Sequence, residues 1–566
     1  MSRAVIYALG LLLGVGTSLY ANPRDEVLRL VPGESSFCFL VQNLRQHSEQ
    51  LRDSPFVGHV AKLPLGTKLT GAPELAQLEA INGFMRDQVG IGVEEMRDDI
   101  FGDAFAIVYQ NPPSDQPDKE KSLILVWVRK PDLLKKVIQK ADLLEGVTNT
   151  KDIEHAGRTY RQRTKADGKD FFFILGNVFG FSDREDVVRE ALERDRDLPA
   201  VATKPPVMTQ RLRDLGIVDE LMLLYLNPRS FDTELRERQM KAKNGDRAFL
   251  DTFVRYWDAL DGIAIYLSME RELAIGVSVR MRTDALSANA KRFFAGLGTP
   301  SAVAPSIPAD AIIALGGRLD GMALAEMLGE FLTPESRAKL HAVIDENVSP
   351  ILGRDLPIDK VFAAMGPDWA MWLAPRPESK EWFPELLLAV KLQGDEAEKQ
   401  WLQALEQLAF LLRFNYNRTH PAGDQIRIVD VKQDGVMVKC IVNDKTFPVG
   451  FQPGFALKNG YLLIASSPES IGRFRVTAPG VNPDEIAMVR LSLTSLRKYV
   501  GVHRAGVEKF LADTNQTTPA AIRDKLDAFL SVMELFDRVE LVQQSGNQFA
   551  TLKVRCRMVE PLKKDK

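Results

Sequence analysis

The same order of short motifs runs twice along this chain, and that repetition limits its fold more than any other feature. Leu30-Val31-Pro32-Gly33-Glu34-Ser35-Ser36-Phe37-Cys38-Phe39-Leu40-Val41 sets out an apolar-Pro pair, a small residue, an acid and then a strand. Ser306-Ile307-Pro308-Ala309-Asp310-Ala311-Ile312-Ile313-Ala314-Leu315 repeats the plan. Ser54-Pro55 and Thr333-Pro334 then each start a helix, a hydroxyl cap followed by proline at the first helical position. Residues 100–108, with Phe101-Gly102-Asp103, answer to residues 362–372, with Pro367-Asp368-Trp369. Both runs enter a Pro-rich charged loop, Asn111–Asp115 and Ala374–Glu378, and both return in an apolar strand, Leu123–Val128 and Leu386–Val390. An amphipathic helix follows each, lined by Leu133, Leu134, Val137 and Ile138 or by Trp401, Leu402, Leu405 and Leu408. Gly176–Ser182 aligns without gaps to Gly460–Ser466, where Asn459-Gly460 is a hairpin-turn dipeptide. Ser182-x-x-Glu185 and Ser466-x-x-Glu469 both read as capping boxes. Residues 263–281 and 539–558 close each series as two-strand endings.

The expectation is therefore a tandem duplication: an α+β repeat over 28–281, a helix and linker over 282–303, and a second α+β repeat over 304–558. A short basic tail, 559–566, follows. Each half reads as strand, helices, hairpin, helix, meander, helix, strand, helices, hairpin. That order predicts two homologous domains, each a mainly antiparallel sheet with helices packed on it, and not a doubly wound parallel fold. At about 250 residues each, the halves are long enough for cores of their own.

The first 21 residues carry an address. Arg3 is the only charge before Ala21, and Ala4–Val15 is apolar. This is the order of a secretory signal peptide, with cleavage after Ala21. The competing reading is an uncleaved anchor, although eighteen helical residues span only about 27 Å of a roughly 30 Å bilayer core. The expected location is the periplasm, cell envelope or extracellular space, with membrane contact only through this segment if it is retained. Lys+Arg 73 against Asp+Glu 76 gives a net charge of -3, which excludes a nucleic-acid partner on charge grounds. Three cysteines in 566 residues exclude a disulfide scaffold. Cys556, in Val554-Arg555-Cys556-Arg557-Met558, alternates with basic residues and is expected on the buried face of a strand.

No constellation that carries chemistry emerges. There is no Walker loop, no Gly-x-Ser-x-Gly elbow and no zincin helix. Gly90-Ile91-Gly92 and Gly316-Gly317 read as turns. His47, His59, His155, His341, His420 and His503 are scattered, and no calcium loop is present. Asp103 and Asp368 occupy equivalent turns, as turn caps or as an acid pair, and Glu94-Glu95 with Asp98-Asp99 reads as a solvated helix end. Phe171-Phe172-Phe173 and the group Trp369, Trp372 and Trp382 read as core, with the wall of a ligand groove as the alternative. No catalytic, cofactor-binding or metal residue is assigned.

Val31-Pro32-Gly33-Glu34-Ser35, Ile307-Pro308-Ala309-Asp310-Ala311, the Phe101-Gly102-Asp103 turn and the apolar hairpins after it resemble a bacterial exported family catalogued only as a domain of unknown function, present here as two tandem copies. The resemblance implies a secreted or envelope-associated α+β protein and brings no catalytic residues. The resulting expectation is a non-enzymatic binding or scaffold module for an unknown envelope ligand or protein. The alternative is an exported hydrolase with an acid pair in a groove between the halves.

Overall fold

The computed structural model describes residues 22–63, 66, 73–112, 116–197, 205–269, 272–347, 363–376, 382–476, 485–546 and 549–559. Residues 1–21, 113–115 and 377–378 of the two charged loops, Phe362, and residues 560–566 lie outside the described residues. The chain is mixed helix and strand, with extensive antiparallel sheet. It divides into two compact units, 1–48 with 76–213 and 221–224, and 49–75 with 214–220 and 225–566.

In the first unit, β1 (Phe37–Gln42), β2 (Ala104–Gln110), β3 (Lys121–Trp127), β4 (Asn149–His155), β5 (Arg158–Lys165), β6 (Gly168–Leu175) and β7 (Val178–Ser182) pair in the order β4-β5-β6-β7-β3-β2-β1, all antiparallel. β8 (Met222–Leu226) is the other neighbour of β1. Cys38, Leu40, Ala106, Val108, Leu123 and Leu125 are all but fully buried. Alternation puts these residues on one face of the sheet. The three consecutive phenylalanines are all buried, Phe171, Phe172 and Phe173 alike, so this stretch is core on both faces.

The second unit holds β9 (Leu260–Met269), β10 (Glu272–Met281), β11 (Ile313–Arg318), β12 (Met365–Ala374), β13 (Glu385–Leu392), β14 (Arg427–Gln433), β15 (Val436–Val442), β16 (Gly454–Lys458), β17 (Tyr461–Ala465), β18 (Glu485–Ser492), β19 (Phe536–Gly546) and β20 (Phe549–Met558). They form one antiparallel sheet in the order β9-β10-β20-β19-β18-β11-β12-β13-β17-β16-β15-β14. β9 and β10 lie in the first half of the sequence but belong to this unit, because β10 pairs with β20 from Glu272↔Arg557 to Arg280↔Phe549. Ala314, Ala370, Trp372, Leu387, Val438 and Leu463 build its main core. The strands β4-β5-β6-β7-β3-β2-β1 are connected in the same order as β14-β15-β16-β17-β13-β12-β11.

Local chemistry explains most element ends. Ser54 Oγ accepts from Val57 N at 3.3 Å and Thr333 Oγ1 from Ser336 N at 3.1 Å, the helix caps expected before Pro55 and Pro334. Asn459 and Gly460 take φ of 56° and 74°, the type I′ turn between β16 and β17. Asp434-Gly435 and Ala156-Gly157 make the same turn in the β14–β15 and β4–β5 hairpins. The two capping boxes do not form as expected. Ser467, not Ser466, caps the helix Pro468–Arg473, while Ser466 Oγ accepts from Leu386 N at 2.9 Å. Ser182 Oγ donates to Ser122 O at 2.7 Å, and Glu185 turns away to Tyr160 and Arg189. Each serine ties β7 to β3 or β17 to β13, a buried backbone demand, and Ser182 Oγ also accepts from Arg184 N at 3.1 Å beside the start of the next helix. Gly316 and Gly317 are not a turn either; they lie inside β11, opposite Ala370 and Trp369. In the linker, Val303 is fully buried in the main core.

One buried ion pair stands out in the first unit. Arg163, on β5, makes two bonds of 2.7 and 2.8 Å to its cross-strand partner Asp170, and reaches Asp142 at 2.8 Å. Burial pushes the Asp170 carboxyl up, but the bonds from Arg163 and Lys165 outweigh it and hold it below the ordinary range.

Ala156 is an L-residue in the left-handed region, where Asn is tolerated far better. Ala156→Asn is expected to stabilise the β4–β5 hairpin by about 0.5–1 kcal/mol. The check is thermal unfolding, where Tm should rise by roughly 1–4 °C; an unchanged or lower Tm would contradict the turn assignment.

Candidate functional site

A cavity of about 490 Å³ lies in the second unit over the ends of β9, β10, β19 and β20. Its walls include Glu220, Tyr266, Ser268, Glu272, Lys553 and Arg555. Alternation along β10 and β20 sends Ala274, Gly276, Lys553 and Arg555 to this face. Small residues make the room. A Cβ on Gly276 would meet the Tyr266 ring at 2.3 Å, so glycine is what lets that ring lie across β10. Deeper in the sheet, Thr551 Oγ1 donates to Ser278 Oγ at 2.9 Å, and Ser278 Oγ donates to Leu215 O at 2.6 Å. Those buried hydroxyls are fully used.

Charge at this site is paired. Arg555 Nη1 lies 2.7 Å from Glu485, its Nε donates to Glu540 at 2.7 Å, and Glu272 stands 3.7 Å away. Lys553 pairs with the other oxygen of Glu485. Burial pushes the Glu485 carboxyl up, yet Lys553 and Arg555 more than offset this and hold it below its ordinary range. Burial also draws the Arg555 guanidinium down, and Glu540, Glu272 and Glu485 overcome that and raise it. Burial, with Glu220 and Glu485 adding to it, pushes the Tyr266 phenol up to about 12. At neutral pH, Tyr266 is therefore a hydrogen-bond donor, and the cavity presents fixed charges of both signs. Such a site is suited to holding a small polar or zwitterionic solute.

Sequence reasoning reversed the sidedness of β20. Arg555 and Lys553 face the enclosed cavity, while Leu552 and Val554 face solvent at 47% and 46% exposure. Cys556 is only half-buried, and Arg557 is exposed. The charges fold inward because Glu540 sits directly across from Arg555 on β19 and Glu485 is one strand farther along. The readable signal was the run Lys553-x-Arg555 facing an isolated Glu540 in an apolar strand. Its third member, Glu485, is 70 residues away from Arg555.

The candidate residues read from sequence are placed elsewhere. Asp103 accepts from Arg45 at 3.1 Å, and Asp368 accepts from Ala302 N at 3.0 Å, each serving a turn in its own unit. Glu95 caps Gly92 N at 2.9 Å, Asp98 pairs with Arg97, and Asp99 pairs with Lys130 at 2.7 Å. His155 bonds Glu193 at 2.8 Å, His420 stacks on Tyr416, His503 packs on Tyr499, His47 is buried and His59 half-buried; the His341 side chain lies outside the described residues. The tryptophans do not form one wall. Trp369 and Trp372 alternate to opposite faces of β12, and Trp382 packs on Phe383 and Phe510. Cys38, Cys440 and Cys556 are all free thiols, and burial pushes Cys38 up to about 12 and Cys440 to about 11. A smaller hollow of about 220 Å³ in the first unit is lined by Tyr160, Arg161, Phe172 and Asp152 among others. Arg161 is tied there to Asp152 at 2.7 Å. Among the described residues no group of three or more His, Cys, Asp or Glu side chains could hold a metal, and no helix is long and apolar enough to cross a membrane.

Because the Glu485 carboxyl is held low, its contribution to stability is full above the ordinary Glu range and is lost as pH falls through the depressed value. Glu485→Gln is expected to cost about 1–2 kcal/mol at pH 7. The gap to the unsubstituted protein should narrow as pH falls below the ordinary Glu range of about 4.3. Urea unfolding across pH 3–7 checks this; a gap that stays constant down to pH 3 would contradict the ion-pair account.

Comparison of the chain with family models, with curated proteins and with solved structures returns no match.

Proposed function

We propose that this chain is an exported envelope protein of two tandem homologous halves that acts as a non-catalytic binding module, with the Tyr266–Arg555 cavity as its ligand site. The observation that carries this reading is the pairing of the cavity cations: Lys553 and Arg555, on its wall, are both held by Glu485, and Arg555 also by Glu540. A hydrolase of the acid-pair type needs one carboxyl held protonated near neutral pH, and its environment must raise that carboxyl's pKa. Glu485, which holds the two cations from behind the cavity wall, is moved the other way by Lys553 and Arg555. Cations so engaged bind and orient; they do not leave a free proton donor.

Duplication is supported by the matching connection order of the strands and by the common use of Ser182 and Ser466. Under this reading the last strand of each half, β10 and β20, lie side by side, and both contribute to the cavity. Export rests on the N-terminal charge and hydropathy pattern, and the family resemblance points the same way.

Three measurements test the proposal. N-terminal sequencing of the protein from its native host should begin at Asn22; an intact Met1 would sink the cleaved-signal reading. A panel of amino acids and dicarboxylates should raise the Tm of the unsubstituted protein and shift Lys553→Met far less. Turnover of glycoside, ester or peptide reporters that disappears in Glu272→Gln would instead favour the hydrolase.

A further inference from the structure

Part of the polar wall of the Tyr266–Arg555 cavity is not used by the protein itself. Among the described residues, the Tyr266 and Ser268 hydroxyls and the Arg557 guanidinium have no hydrogen-bond or ion-pair partner, and all three line the cavity. Tyr266 is only 8% exposed, and a phenol so buried with its hydrogen bond unmade calls for a bound group. Its hydroxyl lies over β10, where a Cβ on Gly276 would meet it at 2.5 Å. Lys553 and Arg555 are held by Glu485 and Glu540, whereas Arg557 is unpaired although Glu272 is directly opposite it on β10. Glu272 approaches Arg555 instead and stops at 3.7 Å, short of a hydrogen bond. Ser268 lies opposite Ala274 and Tyr266 opposite Gly276, so the two free hydroxyls follow the Glu272–Arg557 pair at steps of about 7 Å along the sheet.

We infer, resting on the reading of this cavity as a ligand site, that its ligand is a free α-amino acid with an uncharged, hydrogen-bonding side chain of the glutamine type. An α-amino acid carries its ammonium and carboxylate on one carbon. That suits an acid and a cation at opposed positions of neighbouring strands, where Cβ atoms stand about 5 Å apart. Arg557 takes the carboxylate with two parallel N–H bonds, and Glu272 accepts from the ammonium. The ligand side chain then runs over Ala274 toward Ser268 and Tyr266. Burial, with Glu220 and Glu485 adding to it, keeps the phenol protonated, so the ligand atom that meets it is an acceptor such as an amide oxygen. Ser268 Oγ can accept from the amide N–H. A side-chain carboxylate is disfavoured, because among the described residues Glu220, Glu272, Glu485 and Glu540 outnumber Lys553, Arg555 and Arg557 here. An apolar side chain would leave both hydroxyls unmet.

The test is isothermal titration calorimetry of the purified chain with L-glutamine, L-glutamate, L-leucine, succinate and N-acetyl-L-glutamine. L-glutamine is expected to bind about tenfold or more tightly than any of the other four. Arg557→Gln and Tyr266→Phe should each weaken L-glutamine by about tenfold. Arg557 is exposed and unpaired, so thermal unfolding of Arg557→Gln without ligand should match that of the unsubstituted protein. If any of the other four compounds binds as tightly as L-glutamine, or if Arg557→Gln binds L-glutamine as before, the choice of ligand is overturned while the cavity remains a binding site. Binding of none of the five would overturn the inference together with the ligand-site reading on which it rests.

Discussion

The architecture of the second unit depends on the pairing of β10 with β20. Nine residue pairs, from Glu272↔Arg557 to Arg280↔Phe549, join strands far apart in sequence, with the Ser278–Thr551 hydroxyl contact buried between them. Closing a loop that long is entropically expensive, so the pairing must be made up by what it brings together. On one face it assembles Arg555, Glu540, Glu485, Lys553 and Glu272 into a satisfied charge lattice. On the other it gathers aliphatic side chains.

That division inverts the usual rule for a sheet, in which apolar residues face the interior. The inversion is tolerable because Lys553, Arg555, Glu485, Glu540 and Glu272 are paired with one another and the small residues Ala274 and Gly276 leave room for Tyr266. An unpaired cation in that place would be costly, and so would a larger residue at position 276. The cavity and the exposed apolar face are thus two consequences of one strand pairing, with alternate residues of the same strands serving opposite surfaces.

Much of the local structure was legible in the sequence, because its determinants are local. Asn459-Gly460, Ser54-Pro55 and Thr333-Pro334 act within a few residues, and each does what its chemistry predicts. The order of strands and helices also follows from periodicity and turn residues. What failed did so where a distant partner outbid a near one. Ser182 and Ser466 have the spacing of capping boxes, but both hydroxyls bond the neighbouring strands β3 and β13, and only Ser182 keeps a bond, to Arg184 N, at the helix entrance. Gly316-Gly317 has a turn's composition and a strand's place. The candidate site was legible only as the alternation of Lys553 and Arg555 with an isolated Glu540, since Arg555 reads as a solvent-facing residue until Glu485 and Glu540 are set beside it. Single-sequence periodicity carries no information about which strand that will be.

The most direct test of this account is hydrogen exchange followed by mass spectrometry on peptides covering 273–279 and 550–556. If β10 and β20 organise the second unit, their amides should exchange as slowly as those of β12 and β13, opening only with the whole unit. Fast exchange in both segments while β12 and β13 stay protected would show that the pairing is peripheral, and would contradict the account.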